Sequence, residues 1–225
     1  KSILKKIGLN QKESKRMIQK KFFNSCIDDY KCLFVFVGPI CEQRGVHLIA
    51  DCFEELNRNY NGQLQFLVLG KADQNDDLYG IPCSQKMDDL NKKYPNNFHV
   101  SSSSENDEEL AIMSANFVLM PSLFEPSGFI QQKAFVSGSP VIAFKTGGLS
   151  DTVFEFDMKK KTGNGLLFWC HKQKDFMMAI DRAYTLFIDK KNYNILRENA
   201  SKSALPIEKT ADMWLDGFTR MFFSL

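Results

Sequence analysis

The chain has 225 residues, 44% hydrophobic and 25% charged, enough to bury one good core as a single α/β domain or a domain with an attached helical tail. A formal net charge of +2 is too weak a bias to point to nucleic acid or a membrane surface as partner. No apolar run reaches the roughly 18 to 20 residues needed to span a bilayer, and Lys1-Ser-Ile-Leu-Lys-Lys lacks the apolar core of a secretory signal, so a cytoplasmic location is expected. The cysteines Cys26, Cys32, Cys41, Cys52, Cys83 and Cys170 form no C-x-x-C pair and have no histidine at metal spacing. Most of them read as buried thiols in a reducing compartment, and neither a metal nor an organic cofactor is expected.

Residues 1–31 are basic and weakly periodic, with Ile7, Met17, Phe22 and Phe23 as the apolar positions of two short helices. The charge of that stretch reads as a solvated face. Regular alternation begins at residue 33. Residues 33–37 are a continuous apolar strand ending at Gly38, and Val46, Ile49, Ala50, Phe53 and Leu56 then fall on one helical face. A second strand is expected over 64–69, a helix carrying Met87, Leu90 and Tyr94 before Pro95, and a third strand over 97–100. The helix expected over 105–114 carries acids in its first turns, where they complement its dipole.

The strand over 116–120 ends at Pro121-Ser122 and delivers Glu125 to its C-terminal edge before a helix starts near Phe129. Gly138-Ser139-Pro140 stops that helix, and residues 141–144 form another short buried strand. Lys145-Thr146-Gly147-Gly148 follows: two glycines between a strand and a helix can turn backbone N–H groups toward one point, an arrangement that favours an anion, phosphate above all. Ligands of open parallel sheets sit outside the carboxyl ends of the strands, where both loops lie. Residues 166–168 read as a last strand. Three helical stripes follow, carried by Phe176, Ile180, Ala183, Tyr184 and Phe187, by Tyr193, Leu196 and Ala200, and by Met213, Leu215, Phe218 and Phe222. All three are expected to face the core. The alternation specifies a parallel, doubly wound, Rossmann-like sheet, with 1–31 as a helical lead-in, 32–170 as the core and 171–225 as helices packed on it.

The segment from Ser122 to Val153, SLFEPSGFIQQKAFVSGSPVIAFKTGGLSDTV, resembles the C-terminal half of starch synthases and bacterial glycogen synthases, glycosyltransferases of the GT-B fold. Their segment reads approximately S-R-F-E-P-C-G-L-x-Q, then R-T-G-G-L-x-D-T-V. Phe36-Val37-Gly38 with Gln43-Arg44-Gly45 is similar to their V-G-R-L-x-x-Q-K-G. The resemblance implies a nucleotide-sugar-binding domain for ADP-glucose or UDP-glucose, from which glucose passes with retention to an α-1,4-glucan. On it, Glu125 contacts the donor glucose, Arg44 takes the place of the phosphate-binding lysine, and the Gly147 and Gly148 amides hold the diphosphate. Gly128, Thr146, Leu149 and Lys133 complete the expected substrate-binding set.

The chain departs from the pattern at Pro39, which replaces the arginine of V-G-R and brings neither charge nor N–H. It departs again at Ser101 to Ser104, where the family has a base-contacting G-Y-x-E, and at Ser127 and Lys133. The resemblance covers only the second half of such enzymes, so the α-glucan acceptor is expected on an N-terminal domain absent from this chain. Activity by this chain alone is not expected. The alternative is a catalytically degenerate relative that serves as a structural or protein-interaction module with partners in a larger assembly.

Overall fold

The computed structural model describes residues 10–72, 76–102, 104–205 and 207–223, with backbone alone at 207–210, 213 and 223. The expectations placed on Ile7, on Ser103 and on the Met213 side chain lie outside the described residues. Six strands form one parallel sheet: β1 (Cys32–Val37), β2 (Leu64–Leu69), β3 (Phe98–Ser101), β4 (Phe117–Met120), β5 (Val141–Phe144) and β6 (Gly165–Phe168). Their spatial order is β3-β2-β1-β4-β5-β6. Strand order therefore reverses between β1 and β4, which opens a crevice at the carboxyl ends of those two strands.

The helices are α1 (Gln11–Phe22), α2 (His47–Asn59), α3 (Gly80–Lys93), α4 (Glu105–Ser114), α5 (Phe129–Val136), α6 (Gly147–Thr152), α7 (Gln173–Ile188), α8 (Lys190–Lys202) and α9 (Ile207–Phe223). Their starts follow local chemistry. Asn10 and Glu13 make a reciprocal capping box at α1. Ser104 caps α4 through the Asp107 N–H, which gives one residue of the serine run a structural task. Of the expected pair of helices over 1–31, α1 lies within the described residues.

Because strand side chains alternate, the continuous apolar strands feed two cores, one on each face. Phe34, Phe36, Phe66, Phe98, Phe117, Ile142 and Phe168 meet α2, α3 and α7 on one side. Leu33, Val35, Leu67, Val118, Val141 and Leu167 meet α1, α4, α5 and α8 on the other. The parallel register places Phe34 opposite both Phe66 and Phe117, and their rings stack with centroids 4.9 and 5.8 Å apart. Much of the phenylalanine content thus belongs to the core.

Helices α7 and α8 bury their stripes as expected, and α9 does not. Leu215 is 64% exposed, and Trp214, Phe218, Met221 and Phe222 also stand in solvent. Periodicity specifies which face of a helix is apolar, but a surface must exist to cover it, and no described element covers this one. No described helix is long and apolar enough to cross a membrane.

Candidate functional site

Three loops meet at the carboxyl edge of the sheet. The first follows β1 and carries Arg44 in a short 3-10 turn (Glu42–Arg44), which ends at Gly45 with φ +62°. A Cβ at Gly45 would lie 2.0 Å from the Pro121 carbonyl oxygen, so only glycine lets this turn rest on the end of β4. The Leu123 N–H donates to Gln43 O at 2.8 Å and the Gln43 side-chain amide donates to Phe124 O at 3.2 Å. The Arg44 guanidinium forms a charge-assisted hydrogen bond to a Glu125 carboxylate oxygen.

Glu125 lies in the second loop and is 4% exposed. Its other carboxylate oxygen accepts from the Gly128 N–H at 3.3 Å, and Gly128, at φ +62°, turns the chain into α5. The third loop follows β5. The Thr146 hydroxyl donates to Leu123 O at 3.0 Å, and Gly147 adopts φ +43° with the Glu125 carbonyl 2.4 Å from where a Cβ would sit. The site is one tightly interlocked surface, with a carboxylate and a guanidinium at its centre.

Three of the expected ligand-contact residues, Gly148, Leu149 and Lys133, make contacts within the chain. The Gly148 N–H donates to Glu125 O at 2.9 Å, so that amide ties two loops together, while the Gly147 N–H has no hydrogen-bond partner among the described residues. The Leu149 side chain is fully buried in the second core, and its N–H is held by Thr146 O at 3.0 Å, so its task is to seat the loop. Lys133 does not join Glu125. It lies over the Phe129 ring, with Nζ 5.0 Å from the centroid, and lines a groove between α4 and α5 with Glu109. Lys133 stands four residues after Phe129 and so on the same face of α5, which carries it with that ring into the groove.

At Pro39 the structure adds a residue that sequence reasoning missed. Pro39, Gly38, Gly70, Lys71 and Glu108 line a cavity of about 300 Å³ at the ends of β1 and β2. A Cβ at Gly70 would lie 1.9 Å from Gly38 O, which shows how closely the two strand ends approach. Lys71 therefore brings a cation to the place where Pro39 has none. Its signal in the sequence was its position directly after the glycine that ends β2.

The histidines support the site from behind. A carbonyl oxygen can only accept, so His171 Nε2–H donates to Pro121 O, at 2.7 Å. The His47 N–H donates to the Tyr79 hydroxyl at 3.0 Å, and that hydroxyl bonds in turn to His47 Nδ1. Burial first, and the neighbouring His171 second, push the His47 pKa below its ordinary value and keep the ring neutral at pH 7. These contacts pin the Arg44 turn to the strand ends.

A family model for glycosyl transferases group 1 matches residues 17–203. A glycogen synthase of Alkaliphilus metalliredigens is 31% identical over 210 residues, which cover 92% of this chain and 41% of that protein. One from Petrotoga mobilis is 29% identical over 191 residues, 84% of this chain and 38% of that protein. The chain thus spans about two fifths of the length of these curated relatives. Among solved structures, the catalytic domain of starch synthase IV from Arabidopsis thaliana, bound to ADP and acarbose, matches with a TM-score of 0.76 at 24% identity, over 93% of this chain and 42% of that one. Anabaena Alr3699/HepE in complex with UDP and glucose matches with a TM-score of 0.71 at 16% identity, over 92% of this chain and 52% of that one. Both structural likenesses speak for the fold, which is that of one half of a GT-B glycosyltransferase.

Proposed function

This chain belongs to the glycosyl transferases group 1, and we propose that it is the nucleotide-sugar-binding half of a glucosyltransferase of the starch and glycogen synthase kind. The donor is ADP-glucose or UDP-glucose, and the acceptor is an α-1,4-glucan held by a further domain. The observation that carries this reading is the convergence of Arg44, Glu125 and the Gly147 loop at the switch point of the sheet. In glucosyl transfer the bond from C1 to the diphosphate oxygen breaks and a bond from C1 to an acceptor hydroxyl oxygen forms. Positive charge develops at the sugar and negative charge on the leaving diphosphate. On this reading Arg44 and the Gly147 N–H, which has no partner among the described residues, hold the diphosphate, and Glu125 hydrogen-bonds the glucose and stabilises its developing charge.

Arg44 is paired with Glu125, so a diphosphate would compete for the guanidinium and release the carboxylate toward the sugar. Pro39 lacks a cation of a kind commonly worth roughly 3 kcal/mol to a transition state. Lys71, in the same cavity, can supply part of it.

Pro39 and the engaged Gly148 amide favour a second reading, in which the fold serves as a non-catalytic interaction module. Calorimetric titration with ADP and UDP separates the two. The donor-site reading expects saturable heat that weakens at least tenfold in Arg44→Ala and also falls in Gly148→Ala. A folded chain that takes up neither nucleotide at millimolar concentration leaves the interaction module as the function.

A further inference from the structure

At the opposite end of the sheet, beneath the amino ends of β1 and β4, lies a cavity of about 320 Å³, within the size range of small-molecule sites. Its walls come from α1, from the segment before β1, from Asn116 ahead of β4 and from α8. Lys12, Lys15, Lys190 and Arg197 face it, against Asp29 as its one carboxylate among the described residues. Asp29 is already held by Lys12 at 3.1 Å and by Arg16 at 2.6 Å. The cavity therefore carries a marked excess of positive charge drawn from separate elements of the fold.

Lys15 is the informative member. It is 3% exposed, and its ammonium donates to the carbonyls of Asp29 and Lys31, with no third acceptor and no carboxylate partner among the described residues. An ammonium has three donors; two go to carbonyls, and the third has only the Phe187 ring, with its centroid 5.4 Å away, among the described residues. A buried, unpaired cation is costly, and burial draws the Lys15 pKa down to about 8. Burial lowers the pKa of Lys190 as well. The Lys190 ammonium lies over the Phe187 ring, 3.5 Å from its centroid, and donates to Phe187 O at 2.7 Å, so neither amine is paired with a carboxylate among the described residues.

Lys190 also opens α8, whose N-terminus is capped by Asp189, which accepts from the Asn192 N–H at 3.2 Å, so the charge that α8 brings to the cavity is that of its side chains. Arg197, two turns on, offers a planar guanidinium suited to two oxygens of one phosphate. The wall is fixed: the Asn116 side chain accepts from the Leu33 N–H at 2.8 Å and donates to the Tyr193 hydroxyl at 3.1 Å. A rigid pocket with an incompletely bonded internal ammonium and further cations at its rim is built for a compact dianion.

We propose that this cavity binds a small phosphate monoester, at the end of the sheet opposite the candidate donor site. Three oxygens on one phosphorus match cations converging from several sides, and the volume leaves room for a short carbon skeleton. The site lies on residues that the nucleotide-sugar reading does not use, so either can stand without the other.

The test is calorimetric titration of the 225-residue chain with inorganic phosphate and with glycerol phosphate, at constant ionic strength held with chloride. Saturable one-to-one binding is expected, weakened at least tenfold in Lys190→Ala/Arg197→Ala and unchanged in Lys92→Ala, an exposed lysine elsewhere on the surface. Lys190→Ala alone, an exposed position, is expected to weaken binding at least threefold and guards against misfolding of the double variant. Heat that does not saturate overturns the proposal and leaves a solvated basic face. Binding that survives the double variant and disappears in Arg44→Ala also overturns it, because the phosphate then occupies the donor site.

Discussion

Gly45→Ala tests the interlocked loops most directly, with Gly62→Ala as its control. Both glycines are left-handed, at φ +62° and +70°, so both substitutions carry the same backbone penalty of about 1 to 2 kcal/mol. They differ in space. At Gly62 the nearest atom to an added Cβ is 3.7 Å away, an ordinary contact, so about 1 kcal/mol is expected after the loss of freedom in the unfolded chain is counted. At Gly45 the Pro121 oxygen is 2.0 Å away and His171 Nε2 is 2.6 Å away.

The Gly45 turn must then lift by an ångström or more, which strains the His171–Pro121 bond of 2.7 Å and the Leu123–Gln43 bond of 2.8 Å. Each lost bond is worth about 1 kcal/mol, so Gly45→Ala is expected to cost about 3 to 4 kcal/mol in total. With a urea slope of roughly 1 to 3 kcal/mol per molar, its unfolding midpoint falls about 1 to 2 M below that of Gly62→Ala. Fluorescence-monitored urea unfolding at pH 7 reads this difference. Coincident midpoints refute the close packing of the Arg44 turn on β4.

Arg44→Ala leaves the Glu125 carboxylate buried without its partner; because Arg44 is partly exposed, a cost of about 2 kcal/mol is expected, below the range for fully buried pairs, and Arg44→Ala/Glu125→Gln should recover much of it in urea unfolding. Asn116→Ala orphans the buried Leu33 N–H and a Tyr193 contact, and thermal unfolding should show a loss of about 3 kcal/mol. The Lys15 pKa is about 8 in the native chain against 10.5 unfolded, so between those values the unfolded state holds more protons and stability rises with pH. Relative to Lys15→Met, the wild type should gain about 3 kcal/mol from pH 8 to pH 10.5, read by urea unfolding across that range. Parallel pH profiles for the two proteins would place Lys15 in water.

The sequence by itself determined the sheet. Six short segments rich in apolar residues end in glycine, proline or polar residues and alternate with helical segments, so the strands and their parallel direction follow from local pattern and short connections. The same pattern brought Glu125 and Gly147 to the carboxyl edge, because a residue just past a parallel strand cannot be elsewhere. The motif resemblance added which loops belong together.

Only the tertiary structure decided what each residue contacts there. Arg44 and Glu125 are 81 positions apart, and no local periodicity states that their charges meet. Leu149 and Gly148 read as ligand contacts from their motif, yet packing turns one into the core and bonds the other to Glu125 O, because a tight loop must first satisfy its own backbone. Lys71 reaches the Pro39 cavity, and Lys15, Lys190 and Arg197 gather at the far edge, through adjacency between elements distant in sequence. The apolar stripe of α9 was legible, but not whether anything covers it, since a helix encodes its face and only the assembled surroundings supply the surface that buries it.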